Sequence, residues 1–118
     1  MKKPELSYPV FCFKYLHSIS YVNCKDAGFF IDFLQRLQKL GQLGWNEINK
    51  SPRHSFGYEK IPVSAIKTNF RTTIMTEDVT ELTVFRANGN NLPFLGLRLN
   101  DVFQVIFIET TFNDIYQH

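Results

Sequence analysis

Three apolar runs toward the C-terminal end carry the clearest pattern in the chain. Glu81–Ala87 (ELTVFRA), Phe94–Leu99 (FLGLRL) and Val102–Ile108 (VFQVIFI) are rich in branched and aromatic residues and read as β-strands. Asn88-Gly89-Asn90-Asn91 separates the first two, and an Asn-Gly pair between such runs is the strongest short hairpin signal. Asn100-Asp101, a second turn-type pair, separates the other two. The pattern predicts a three-stranded antiparallel meander.

Upstream, Tyr8–His17 alternates and predicts a first strand. Phe11, Phe13, Tyr15 and His17 share one face, and Val10, Cys12, Lys14 and Leu16 the other. Phe29, Phe30, Phe33, Leu34, Leu37 and Leu40 then recur at helical spacing, with Asp32, Gln35, Arg36, Gln38 and Lys39 opposite them. Asp26 is a good N-cap for this amphipathic helix, and Gly41 and Gly44 offer left-handed C-cap positions that end it. Trp45–Asn49 predicts a short second helix with Trp45 and Ile48 facing inward. Pro52 stops it and holds Ser51 out of helical geometry. Ser51–Lys60 is read as irregular, Val63–Lys67 as a helical turn, Phe70–Met75 as extended and Ile115–His118 as a short terminal strand. The order is that of a single α+β domain spanning residues 1–118: an N-terminal strand, one long amphipathic helix and a short helix packed on an antiparallel β-meander. Sheets of this kind can leave one face partly open. Arg86 and Arg98 alternate with apolar neighbours and are expected on that open face, away from the helix.

Composition adds a core heavy in aromatics, with 12 phenylalanines in 118 residues. No apolar run reaches the ~18 residues of a membrane span. Basic residues at the start are followed by neither an apolar stretch nor a small-residue cleavage site, which argues against a signal peptide. A cytoplasmic protein is expected, with Cys12 and Cys24 as reduced thiols. The net charge of +2 conceals an asymmetry. Residues 36–71 carry +5 and residues 72–118 carry −4. A basic middle suits an anionic partner such as nucleic acid.

His17, His54 and His118 lie far apart, with no His-x-x-x-His or Cys-x-x-Cys spacing, so no metal site is expected. No Gly-rich loop leads into a helix, and no nucleotide cofactor is expected. What remains suits metal-free cleavage of an RNA phosphodiester. That chemistry needs one group to take the 2′-hydroxyl proton, another to protonate the leaving oxygen, and cations to hold the phosphate. His54, Tyr58, Tyr116 and His118 are the candidate proton carriers, and Arg53, Lys60, Arg86 and Arg98 the candidate phosphate clamps, with Arg86 and Arg98 placed in the catalytic set. Lys50, Arg53, Tyr58 and Lys60 are candidate RNA-binding residues.

Ser51-Pro52-Arg53-His54 leading to Tyr58-Glu59-Lys60-Ile61, then Leu97-Arg98-Leu99-Asn100-Asp101 into Phe103-Gln104-Val105-Ile106-Phe107, and a terminal Tyr116-Gln117-His118, together resemble the RelE/ParE superfamily of bacterial toxins. The resemblance is to its host-inhibition-of-growth branch, the ribosome-dependent mRNA interferases. It covers about half of the chain in scattered pieces. It implies a RelE-like layer, RNA or the ribosome as target, and a protein antitoxin as partner. Two departures stand out: Gln104 occupies a place where that branch often carries a basic residue, and Pro62–Thr80 is extra to its pattern. The residues on their own leave a second expectation open, a non-enzymatic binding or dimerisation module that uses its open sheet face and Phe-rich surface.

Overall fold

The computed structural model describes residues 7–22, 24, 26–52, 55–70, 75–87, 92–111 and 113–117. Strand β1 (Val10–Cys12) is followed by helix α1 (Ala27–Lys50), then β2 (Glu59–Pro62), β3 (Glu81–Arg86), β4 (Pro93–Leu99) and β5 (Val102–Ile108). The strands form one sheet in the order β1-β5-β4-β3-β2. The expected meander is present as β3-β4-β5, antiparallel throughout, with Phe85 opposite Phe94 and Arg98 opposite Phe103. β1 pairs parallel to β5, which makes the sheet mixed. Asn100 turns β4 into β5 with φ 59°, a left-handed geometry that asparagine tolerates well. The Asn88–Asn91 turn lies outside the described residues.

Asp26 caps α1 by accepting a hydrogen bond from the Gly28 N–H at 2.9 Å. Phe29, Phe33, Leu40, Trp45 and Ile48 are buried against Phe85, Phe94, Phe103 and Val105 of the sheet. Within this layer Phe85 and Phe94 stack at 5.2 Å, and Phe33 and Phe103 meet Phe94 edge-on. The expected second helix exists: the helical run breaks at Gly44, whose φ of 80° and ψ of 159° suit glycine alone. Gly41 does not end the helix; it remains inside it. Beyond the break the Trp45 N–H donates to the Ser7 carbonyl at 2.8 Å, tying the second segment to the N-terminal stretch. Ser51 is extended, as its following proline requires.

Several expectations need correction. The first strand is three residues long, because a turn at Lys14–Tyr15 interrupts it and the Leu16 N–H returns to the Phe13 carbonyl. Phe11 therefore packs on Phe94 and Phe103, while His17 packs on Phe70 and Phe107 on the other side of the sheet. Leu34 does not belong to the buried stripe; it is 67% exposed on the outer side of α1. β2 starts at the end of the stretch read as irregular and runs on to Pro62, pairing antiparallel with β3. The terminal strand reduces to a single bridge between Tyr116 and Ile66. The Val63–Ala65 turn is a 3-10 turn within the expected helical segment, and most of the Phe70–Met75 stretch lies outside the described residues.

The largest correction concerns the second sheet face, which is not open. Ile66, Ile115 and Tyr116 are buried against Leu82, Val84, Leu95, Ile106 and Phe107, with Ile19, Phe70 and Val79 packed around them. The Glu109 side chain holds this cover in place. It is fully buried, and its carboxylate accepts the backbone N–H groups of Ile115 at 2.9 Å, Asn113 at 3.3 Å and Tyr116 at 3.4 Å. The sheet thus separates two hydrophobic clusters. Cys12 and Cys24 are free thiols, and among the described residues no helix is long and apolar enough to cross a membrane.

Candidate functional site

Register decides which side chains meet. Lys60 of β2 pairs with Thr83 of β3, which pairs with Gly96 of β4. This row runs from a long side chain to a short one to none. Gly96 has no space for more, since a Cβ there would lie 1.8 Å from the Gln104 carbonyl oxygen, where the β4–β5 register shifts. Two residues further along each strand stand Glu81 and Arg98, on adjacent strands and on the same face. Trp45, placed by the break at Gly44, packs over Phe85 and Phe103 beside this corner. The result is a cavity of about 250 Å³ lined by Trp45, Tyr58, Lys60, Glu81, Thr83, Leu97 and Arg98.

Arg98 is the most constrained of the charged groups there. Its guanidinium carbon lies 3.9 Å from the centre of the buried Trp45 ring, and its Nε donates to the Asn100 carbonyl at 2.8 Å. Trp45 is itself fixed through its indole N–H, which donates to the Asp101 carbonyl at 3.3 Å. Tyr58 packs on Phe85 at 5.6 Å and donates its hydroxyl hydrogen to Asn49 Oδ1 at 2.9 Å. Thr83 is buried in the cavity wall, while Lys60 and Glu81 are exposed at its mouth. Neither the side chains of Lys60 and Glu81 nor the terminal nitrogens of Arg98 make a hydrogen bond or ion pair among the described residues.

Of the residues singled out from sequence, the structure brings Arg98, Lys60 and Tyr58 together. The other described candidates lie elsewhere, with Arg86 and Tyr116 on the second face, near enough for the arginine's charge to act on the phenol. Arg86 shares a face with Leu82 and Val84, opposite Arg98, so the two arginines do not form a pair on one surface. Its backbone carbonyl accepts from Arg36 Nε at 3.4 Å. Tyr116 is buried in the second cluster; burial first, then the Glu109 and Glu59 charges, raise its hydroxyl well above the ordinary tyrosine value, with Arg86 opposing them. A phenol held protonated in this way does not exchange protons readily near neutral pH. Lys50 is exposed at the end of α1 and lines a different cleft, with Ser7, Tyr8, Gly44 and Glu47. Arg53, His54 and His118 lie outside the described residues.

Trp45, Glu81 and Thr83 join the site without having been foreseen. A signal for Glu81 was present. If the hairpin folds about the middle of Asn88-Gly89-Asn90-Asn91, Phe85 faces Phe94, and Glu81 falls opposite Arg98. Trp45 had no such signal, because its position depends on how the helix crosses the sheet. Comparison with protein-family models, curated proteins and solved structures gives no match.

Proposed function

We propose that this protein binds RNA by gripping a backbone phosphate between Arg98 and Lys60. One observation carries the reading: Arg98 is stacked on Trp45 and anchored through Nε, with its terminal nitrogens directed to no protein partner among the described residues. An arginine held in this way loses little side-chain entropy on binding, and its planar fork matches the oxygens of a phosphate. Lys60 adds a second cation at the same mouth, and Tyr58 offers a half-buried aromatic edge. The net +5 of residues 36–71 adds a long-range attraction between this stretch of the chain and a polyanion. Tyr116 lies buried beyond the sheet, away from Arg98, so it does not serve as a proton carrier for a phosphate held there.

Fluorescence anisotropy with a labelled single-stranded oligoribonucleotide tests the proposal. Arg98→Ala and Lys60→Ala are each expected to weaken binding about tenfold at low salt. Each is also expected to reduce the slope of log affinity against log salt by about 0.7, the value for one lost single-strand phosphate contact. Arg86→Ala serves as control and is expected to leave both quantities nearly unchanged. A denaturing gel of the same RNA after incubation is expected to show intact strands. Equal affinity and slope for wild type and both cavity variants would reject the assignment.

A further inference from the structure

A carboxylate is out of place in a site for an anion, yet Glu81 stands in this one, opposite Arg98 and diagonal to Lys60. It is not consumed by either cation, and it makes no hydrogen bond among the described residues. A carboxylate offers only acceptor oxygens. Its presence therefore favours a ligand that brings a hydrogen-bond donor close beside its negative charge, and disfavours one that brings charge alone. RNA has that arrangement. The 2′-hydroxyl is carried on the carbon next to the one bearing the 3′-phosphate, and DNA has only hydrogen there. Directly opposed side chains on neighbouring strands start about 5 Å apart, a separation that suits two adjacent groups of one nucleotide.

We propose that Glu81 accepts a hydrogen bond from the ribose 2′-hydroxyl of the nucleotide whose phosphate Arg98 and Lys60 hold, and so makes the site select RNA over DNA. This rests on the phosphate-binding reading given above. The selection has two parts. With RNA, the hydroxyl satisfies the carboxylate as the strand displaces its water. With DNA, the same carboxylate faces a C–H surface beside a phosphate, so it loses water without compensation and repels the strand. A hydrogen bond to a charged acceptor of this kind corresponds to about tenfold in affinity.

The test uses the full chain and three probes of one sequence: an oligoribonucleotide, its 2′-O-methyl form and the oligodeoxynucleotide. Wild type is expected to bind the ribo form about tenfold more tightly than the other two, since neither of them can donate at the 2′ position. Glu81→Ala is expected to bring all three to similar affinity, chiefly by strengthening DNA and 2′-O-methyl binding as the repulsion disappears. Because Glu81 is exposed on the sheet, this variant should fold, and a thermal melt verifies it. Equal binding of the three probes by wild type, all weakened by Arg98→Ala, would overturn the role of Glu81 and leave phosphate binding standing. A preference for RNA that persists in Glu81→Ala would also overturn it. If no probe shows binding that depends on Arg98, both proposals fall.

Discussion

Tyr116 shows how one side chain ties burial to pH. Its backbone N–H is held by the Glu109 carboxylate, and its ring closes the second cluster against Ile66 and Phe107. The folded chain keeps the phenolic proton more tightly than the unfolded chain, because burial and the neighbouring Glu109 and Glu59 charges oppose ionisation. The sign follows from linkage. Stability is fully present below about pH 10, where the unfolded tyrosine is protonated too, and it falls as pH rises above that value and the unfolded chain alone releases its proton. Urea unfolding at about pH 8 and about pH 11 is expected to show this loss. Tyr116→Phe, which has no proton to release, is expected to show a smaller one. Arg98 makes the complementary point at the candidate site. Its ring partner and its carbonyl partner restrict it to one orientation before any ligand arrives.

At the scale of elements, the break at Gly44 has consequences out of proportion to its size. It reorients the end of α1 so that Trp45 and Ile48 reach the sheet, and it brings the Trp45 N–H to Ser7. A Cβ at this position would meet the Ser7 carbonyl oxygen at 3.1 Å, and the φ of 80° is unfavourable for any L side chain. Gly44→Ala is therefore expected to destabilise the fold by about 1–3 kcal/mol. Urea titration should show a lowered midpoint with an unchanged slope. Both glycines at the end of this helix were visible in the sequence as stop signals, but only one breaks it. Gly41 has no neighbouring atom near its would-be Cβ and simply continues the helix. The strand β2 was missed for a related reason. Four residues ending in proline, with Lys60 pointing out, make a poor strand by pattern alone. It forms because β3 already presents an edge for it to pair with.

For the molecule as a whole, the sheet acts as a partition. Leu40 belongs to the cluster under α1 and Ile115 to the cluster under the C-terminal segment, and both are almost fully buried. Leu40→Ala and Ile115→Ala are each expected to cost about 2–5 kcal/mol. Because they share no packing partner across the sheet, the double variant should equal the sum of the two within about 0.5 kcal/mol. Denaturation of the four proteins under one condition measures the coupling, and a large departure from additivity would show that the two clusters behave as one. The same partition explains why Arg86 and Arg98 cannot act together. They project from opposite sides of a sheet that is covered on both.

The sequence by itself determined the local geometry. The period of the apolar residues specified α1 and the meander, Asp26 specified where the helix starts, and Asn100 specified a turn. Each of these depends on interactions among near neighbours along the chain, which composition and spacing record directly. Even the opposition of Arg86 and Arg98 was implicit there, since alternation counted from the Asn-Gly turn puts them on different faces. Tertiary structure decided the rest: the parallel pairing of β1, the formation of β2, the covering of the second face by residues as distant as Ile66 and Ile115, and the meeting of Trp45 with Arg98. These join segments separated by tens of residues, and the free energy that selects them comes from burying whole faces together. No single stretch of the chain carries that information, because the apolar surface each segment seeks to cover is supplied by another.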